Sequence, residues 1–201
     1  MIEAAVRKRF GSFSLDAVIS DGGFICVAGK NGSGKTTFLR IIGGLTKQDG
    51  GVVKVNGKDV TDLPLEKKGV VIVTPGSAIP SMDVDRHLLW GAGLKKMKID
   101  EERLRTTKKR LGIEFGGRVG GLSLGMRERV SLATALLSSP ALILVDEAFS
   151  NLHDRREFIS SYRELTSRAG IDVVFSTQDE ADGELAQHLY KLEDGRATKK
   201  F

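Results

Sequence analysis

The sequence predicts an α/β protein with a parallel sheet, a smaller set of antiparallel strands and a helical insertion. Apolar runs at 70–73 and 141–145 and the expected strand at 173–176 alternate with segments of helical periodicity, the pattern of a parallel sheet covered by helices. Residues 13–19 have a period close to two, and Asn56-Gly57 is a strong hairpin signal, so antiparallel strands flank the segment 24–28 on both sides. We expect residues 1–201 to form one domain, with 75–138 as the helical insertion.

A glycine-rich loop follows the first buried strand. The stretch Gly29-Lys30-Asn31-Gly32-Ser33-Gly34-Lys35-Thr36-Thr37 matches G-x-x-x-x-G-K-[ST], the phosphate-binding loop of nucleotide hydrolases. A chance glycine-rich turn would not need the apolar strand before it or the helix to Ile42 after it. Backbone N–H groups of such a loop surround a phosphate, Lys35 would reach the β- and γ-phosphates, and Thr36 would bind Mg²⁺. The sequence therefore predicts a site for a nucleoside triphosphate with Mg²⁺.

The remaining elements follow in order. Residues 70–73 are predicted to be a central parallel strand, which ends at Thr74-Pro75-Gly76. Helices are expected near 84–90, 101–111 and 154–169, with a further helix running from Leu122-Ser123-Leu124-Gly125 to about Leu137 and capped by Ser123. A turn at Asp194-Gly195 joins the last two strands.

The strand 141–145 ends in two acidic residues. Asp146 at the end of a strand beside the loop would hold Mg²⁺, partly through water. Glu147 would orient and deprotonate an attacking water, which makes it the candidate general base. The alternative is an acidic strand end that faces solvent.

Composition limits the other classes of function. The net charge of +5 is mild, and the basic residues between Lys95 and Arg110 are interrupted by acidic ones, so we interpret this segment as a solvated helix face. A nucleic-acid or lipid-headgroup surface is the alternative, but no aromatic residues interleave with it as stacking platforms would. The N-terminus lacks the apolar core of a signal peptide, so a cytoplasmic protein is expected, and Cys26 is expected to be a buried, inert thiol.

Residues 122–130, Leu-Ser-Leu-Gly-Met-Arg-Glu-Arg-Val, resemble the signature L-S-G-G-[QE] of ABC-transporter ATPases. The resemblance covers nearly the whole chain and implies the ABC-type P-loop NTPase fold. It implies that Ser123 and Gly125 close over ATP bound to a second chain arranged head to tail. It also makes Phe10 the candidate platform that stacks on adenine, although Phe10 would otherwise be read as a core or hairpin aromatic.

The resemblance is strongest to importer subunits for molybdate, tungstate and related oxyanions, because of the segment 62–69 and the strand after it. The segment 79–91 resembles the part that contacts the membrane permease, which would hold the protein on the inner face of the cell membrane. Sequences of this branch often carry a C-terminal regulatory domain, which we do not expect here.

Several positions differ from the family pattern. Thr74 replaces a glutamine that senses Mg²⁺ and the attacking water, and Gln178 replaces a histidine that contacts the γ-phosphate. Leu124 and Met126 replace a glycine and a glutamine or glutamate in the signature, and His153 replaces an aspartate. Gln178 keeps a hydrogen-bond donor, so we expect it to be catalytic together with Lys35 and Glu147, but it cannot carry charge.

Two further hypotheses compete with an ATPase that powers solute import. The departures favour a regulatory or degenerate subunit that binds ATP with little or no hydrolysis. A soluble ABC-type ATPase acting on nucleic acid is a weaker hypothesis, since such proteins usually carry two nucleotide domains or a long coiled-coil insertion and neither is present. No nucleic-acid partner is expected.

Overall fold

The computed structural model describes all residues from Met1 to Phe201, which form two β-sheets and five α-helices. The antiparallel sheet contains β1 (Ile2–Phe10), β2 (Phe13–Asp21), β4 (Gly50–Val55) and β5 (Lys58–Asp59). Its strand order is β2-β1-β4-β5, and Gly11, with a positive φ of 54°, makes the tight turn between β1 and β2. The predicted antiparallel strands therefore exist, but they pair with one another and not with the segment 24–28.

The second sheet has six strands: β3 (Phe24–Ala28), β6 (Val70–Val73), β7 (Leu142–Asp146), β8 (Asp172–Thr177), β9 (His188–Glu193) and β10 (Arg196–Lys199). Their order is β10-β9-β3-β8-β7-β6, and every neighbouring pair is parallel except β9 with β10. The prediction of a central strand at 70–73 was wrong, because β6 lies at the edge. Val71 packs against one core of the protein while Val70 and Ile72 pack against the other. A strand covered on both faces has the same apolar pattern at an edge as at the centre.

The helices are α1 (Lys35–Ile42), α2 (Val84–Leu94), α3 (Glu101–Arg110), α4 (Leu124–Leu137) and α5 (Arg155–Arg168). The predicted insertion 75–138 contains α2, α3 and α4 and no strand. The Ser123 hydroxyl accepts a hydrogen bond from Met126 N at 3.3 Å, so Ser123 caps α4 as expected. None of the helices has both the length and the hydropathy required to cross a membrane.

The six-stranded sheet separates two hydrophobic cores. Alternate residues of β3 point to opposite sides, so that Ile25 and Val27 pack with α1 and the antiparallel sheet while Phe24 and Cys26 pack with α2, α4 and α5. The helical insertion therefore shares a core with the sheet. Burial raises the pKa of the Cys26 thiol well above its ordinary value, as expected for an inert structural thiol. This layering leaves the carboxyl ends of β3, β7 and β8 together at one edge of the sheet.

Candidate functional site

The glycine-rich loop connects β3 to α1 and bends back over the end of the sheet. Gly32 and Gly34 have φ angles of 79° and 105°, which side chains other than glycine rarely adopt. At Gly34 a Cβ atom would also lie 2.9 Å from the Phe13 ring, and at Gly29 it would lie 2.3 Å from the Leu192 carbonyl oxygen. The loop thus needs its glycines both for its conformation and for close packing.

Lys35 is only 4% exposed because the loop encloses its side chain. Its Nζ atom donates to the carbonyl oxygens of Gly29 at 2.8 Å and Lys30 at 3.1 Å, and it lies 3.5 Å from Glu147 Oε1. The Ser33 hydroxyl is buried without a hydrogen-bond partner in the same loop. The loop therefore has an ammonium group and an unpaired hydroxyl, both of which suit a phosphate.

Two of the predicted magnesium ligands meet at the end of β7. The Thr36 hydroxyl donates to Asp146 Oδ1 at 3.2 Å, although the two residues are far apart in the chain. Asp146 is buried, and its Oδ1 also accepts a hydrogen bond from Ser176 Oγ at 2.7 Å. A hydroxyl oxygen beside a carboxylate is a suitable pair of ligands for Mg²⁺, whose remaining positions are commonly filled by water and substrate phosphates.

Glu147 leaves the end of β7 in a left-handed conformation, with φ 55°. This turn directs its carboxylate toward Lys35, where both Oε atoms also lie 3.2 Å from Gln178 Nε2. The predicted base and the residue that replaces the histidine are thus direct neighbours. The side-chain amide of Gln178 holds the carboxylate over the loop.

A cavity of about 300 Å³ opens in front of the loop. It is lined by Phe10, Phe13, Asn31, Gly32, Gly34, Lys35, Thr36, Thr37 and Glu147. Phe10 is 45% exposed at the end of β1, which excludes the alternative of a core aromatic, and the Lys8 ammonium lies 5.4 Å from its ring centre. The cavity therefore combines the predicted phosphate-binding loop with an exposed aromatic ring.

Ser123 and Gly125 lie in a different place. They line a groove of about 870 Å³ with Leu124, Met126, Asn151 and His153, among others, and this groove shares no residue with the loop cavity. Gly125 lies against the chain at 151, where a Cβ atom would approach the Asn151 carbonyl oxygen to 2.8 Å. Within one chain the signature residues are therefore separate from the phosphate loop.

Two titratable groups, Glu128 and Asp154, are involved in the contacts around this groove, and Asp154 also lines it. Burial raises the pKa of Glu128, whose Oε1 accepts from Asn151 Nδ2 at 2.7 Å while its Oε2 is buried without a partner. A side-chain hydrogen bond from Arg129 lowers the pKa of Asp154, the residue before α5. These contacts attach the segment 151–154 to α4.

Thr74 does not reach the loop cavity. Its amide donates to Ser77 Oγ at 2.9 Å, and the two hydroxyl oxygens are 3.2 Å apart. The threonine thus closes a local turn after β6.

The basic helix α3 is partly neutralised, because Lys108 and Arg110 form ion pairs with Asp85 and Glu164.

Sequence reasoning missed two residues of the site. Ser176 contacts both acidic residues, and Phe13 packs over Gly34 in the loop cavity. A serine near the end of a predicted strand carries no signal by itself. The alternation of residues 13–19 placed Phe13 in the hairpin but did not indicate that the ring reaches the loop.

Comparisons with known proteins identify the family. Residues 13–150 match the family described as ABC transporter. The probable sulfate/thiosulfate import ATP-binding protein CysA of Chlorella vulgaris is 35% identical over 95% of this chain and 86% of that protein. The molybdate/tungstate import ATP-binding protein WtpC of Archaeoglobus fulgidus is 31% identical over 99% of this chain and 86% of that protein. The chain spans 53% to 54% of the length of several other relatives.

The fold has solved counterparts. The ATP-binding cassette MJ0796, in a dimeric structure of a post-hydrolysis state bound to ADP and Pi, has a TM-score of 0.81 and is 23% identical over 100% of this chain and 98% of that chain. This likeness confirms the predicted ABC-type P-loop NTPase fold, and the sequence matches confirm the family indicated by residues 122–130. The chain belongs to the ABC transporter family and is one of its ATP-binding ATPase subunits.

Proposed function

We propose that this chain hydrolyses ATP to drive the import of a solute through a membrane permease, working as one half of a head-to-tail pair. The observation that carries the proposal is the grouping of Lys35, Thr36 and Glu147 around one cavity, with Asp146 buried beside it and hydrogen-bonded to Thr36. These are the groups that phosphoryl transfer to water requires: a cation, two metal ligands and a base. The import direction follows the names of the relatives.

Each residue has a role in this proposal. The backbone of residues 29–37 surrounds the phosphates, Lys35 binds the β- and γ-phosphates, and Phe10 stacks on adenine. Thr36 and Asp146 hold Mg²⁺, which supplies charge neutralisation on the phosphates when bound. Glu147 takes a proton from the attacking water while the oxygen of that water bonds to the γ-phosphorus. The bond between the γ-phosphorus and the β,γ-bridging oxygen breaks, which gives ADP and phosphate.

The groove at Ser123 and Gly125 supports a composite site. Its residues are absent from the loop cavity, yet they present a hydroxyl and the start of a 14-residue helix, a favourable place for an anion. A second chain, arranged head to tail, would bring its own loop cavity against this groove. Each ATP would then be held by the loop of one chain and the groove of the other.

A second groove supports docking to a permease. It has a volume of about 410 Å³ and lies between the open edge of β6 and the helices α2 and α4. Leu65, Trp90 and Leu94 line it and are exposed, and Leu94 is 68% exposed. Exposed apolar side chains around one groove mark an interaction site. Docking here would hold the subunit on the inner face of the membrane.

The class of solute proposed here comes from the names of the relatives, and it is an oxyanion. Sulfate, thiosulfate, molybdate and tungstate are all oxyanions, and both relatives described above are named for their import. Other relatives are named for import of Fe³⁺ ions, so the choice of solute would depend on the permease and not on this chain.

Mixing of inactive variants tests the composite site. The Lys35→Ala variant lacks a working loop but keeps its groove, whereas Ser123→Ala keeps its loop and lacks the groove hydroxyl. An equal mixture should recover about a quarter of the wild-type turnover, since half of the pairs are mixed and each mixed pair has one complete site. Mixing Lys35→Ala with Glu147→Gln is the matched control, because both changes lie in the loop cavity and no complete site can form.

Recovery in the first mixture and none in the control supports the proposal. Recovery in neither, with an active wild type, would contradict the head-to-tail arrangement. The second candidate function is an ATP-binding subunit without useful turnover. It is favoured by Thr74, which contacts Ser77 and does not reach the loop cavity. ATP binding by the wild type without phosphate release would select it.

A further inference from the structure

Ser176 lies one residue before the end of β8, directly opposite Asp146 in the sheet. Its side chain is buried, with the residue only 2% exposed. The hydroxyl oxygen donates to Asp146 Oδ1 at 2.7 Å and accepts from the Glu147 backbone N–H at 3.1 Å. One hydroxyl therefore contacts both acidic residues of the site. We infer that Ser176 is a positioning residue that holds the metal-binding carboxylate and the general base in register with the phosphate loop.

The hydrogen-bond inventory fixes the direction of both bonds. A serine hydroxyl has one proton and two lone pairs. An ionised carboxylate only accepts and a backbone N–H only donates, so the proton points to Asp146 and a lone pair faces Glu147. The hydroxyl is thus locked between its two partners. It cannot rotate to serve another acceptor without breaking one of these bonds.

The bond to Glu147 supports an unusual backbone conformation. Glu147 has φ 55°, and a left-handed conformation at a residue other than glycine persists only when its surroundings hold it. Glu147 lies just after the end of β7, and Ser176 supplies the acceptor for its partly buried backbone N–H. Because the turn is held here, the carboxylate reaches Lys35 Nζ and Gln178 Nε2.

The bond to Asp146 fixes the other acidic residue. Ser176 and Thr36 both donate to Oδ1, and no protein group donates to Oδ2. The carboxylate is therefore held from one side with its second oxygen available. Removal of a group that orients a metal ligand commonly lowers metal affinity or activity by about 10- to 100-fold.

The inference rests on the proposed function, and a pair of near-isosteric variants tests it. Ser176→Thr keeps the hydroxyl and adds a methyl group, whereas Ser176→Val adds the same bulk without the hydroxyl. The affinity for a non-hydrolysable ATP analogue is measured by calorimetry with and without Mg²⁺. Ser176→Thr should keep the Mg²⁺-dependent gain in affinity, and Ser176→Val should reduce it by about 10-fold or more.

Turnover provides the second measurement. Ser176→Val should lower kcat by about 10- to 100-fold, while its affinity for the analogue without Mg²⁺ stays close to that of the wild type. Thr166→Val is the matched control, because it removes another buried hydroxyl, which donates to the Tyr162 carbonyl oxygen at 2.9 Å in α5 and does not contact the site. It should lower the melting temperature without changing the Mg²⁺-dependent gain. Ser176→Ala replaces the valine variant if the latter does not fold.

Three outcomes would overturn the inference. The first is that Ser176→Val keeps the Mg²⁺-dependent gain in affinity for the analogue. The second is that Ser176→Thr loses this gain as fully as Ser176→Val, and the third is that Thr166→Val loses it as well. A wild type without any Mg²⁺-dependent gain is a different result, since it would also remove Thr36 and Asp146 as metal ligands in the proposed function. The failure of each idea is therefore distinguishable.

Discussion

Removal of the Gln178 amide should slow hydrolysis moderately without affecting ATP binding. Its Nε2 atom lies 3.2 Å from both carboxylate oxygens of Glu147. A hydrogen bond to a charged group contributes about 1.5–3 kcal/mol, but Gln178 is exposed and both distances are long, so we use about 1 kcal/mol. This corresponds to about a 5-fold decrease in kcat for Gln178→Ala.

The assay is steady-state release of phosphate with saturating ATP and Mg²⁺, with KM determined separately. KM should stay close to the wild-type value, because Gln178 contacts the base and not the phosphate loop. Gln178→His provides the complementary test. The imidazole should raise kcat above that of the wild type, most clearly below pH about 6.5, where the protonated ring carries a positive charge.

Two results would refute this reasoning. Wild-type turnover in Gln178→Ala would mean that the contact with Glu147 does not orient the base. A loss of 10³-fold or more would mean that Gln178 is essential, which is larger than an exposed neutral donor can explain. Lower turnover in Gln178→His than in Gln178→Ala would show that the surroundings of residue 178 do not accept a ring.

Three further predictions concern the adenine platform, a buried carboxyl group and a tight turn. Phe10→Ala should weaken ATP binding about 2- to 13-fold, since stacking contributes about 0.5–1.5 kcal/mol, while binding of inorganic triphosphate stays unchanged. Titration of both ligands checks this. Glu128→Gln should stabilise the protein in urea unfolding at pH 7 but not near pH 4. Burial raises the pKa of Glu128 in the folded protein above its ordinary value of about 4.5. The stability that comes from the protonated form is therefore complete below that pH and is lost as the pH rises through the folded pKa. Gly195→Ala should lower the melting temperature by about 2–12 °C for a cost of about 1–3 kcal/mol, because φ is 76° and the added Cβ would lie 2.0 Å from the Ser14 carbonyl oxygen.

Most of the fold could be predicted from local pattern. The apolar runs, the hairpin turns and the glycine-rich loop each specify an element through residues that are adjacent in sequence. The order of the strands could not be obtained in this way, because a strand buried on both faces has no signal for its neighbours. Residues 70–73 show this, since their pattern is the same at the edge of the sheet as it would be at the centre.

The candidate site divides in the same way. The loop residues lie within one short stretch, so their grouping was visible in the sequence. The contacts of Ser176 depend on the register between β7 and β8, which are separated by a helix, and no local pattern records that register. Similarly, the contact between Gln178 and Glu147 required the turn at Glu147. Sequence reasoning identified the candidate reacting groups, Lys35 and Glu147, and missed Ser176, which contacts the two acidic residues.

The positions that differ from the family pattern are unevenly distributed over the structure. Leu124, Met126 and His153 all line the groove that a second chain would contact, and Leu124 is 42% exposed there. The loop cavity keeps Lys35, Thr36 and Glu147, with Asp146 beside Thr36, and its altered positions are Gln178, which contacts Glu147, and Thr74, which does not reach the cavity. In a pair with an intact partner, the site formed by this chain's loop and the partner's groove would keep Lys35, Thr36, Asp146 and Glu147 together with an unaltered groove, and would lack only the groups that Thr74 and Gln178 replace. The site formed by the partner's loop and this chain's groove would meet the bulky Leu124 beside Ser123. In the proposed head-to-tail pair, the altered groove would therefore affect the ATP bound to the partner more than the ATP bound to this chain. A pair of two different chains would then hydrolyse ATP at unequal rates in its two sites.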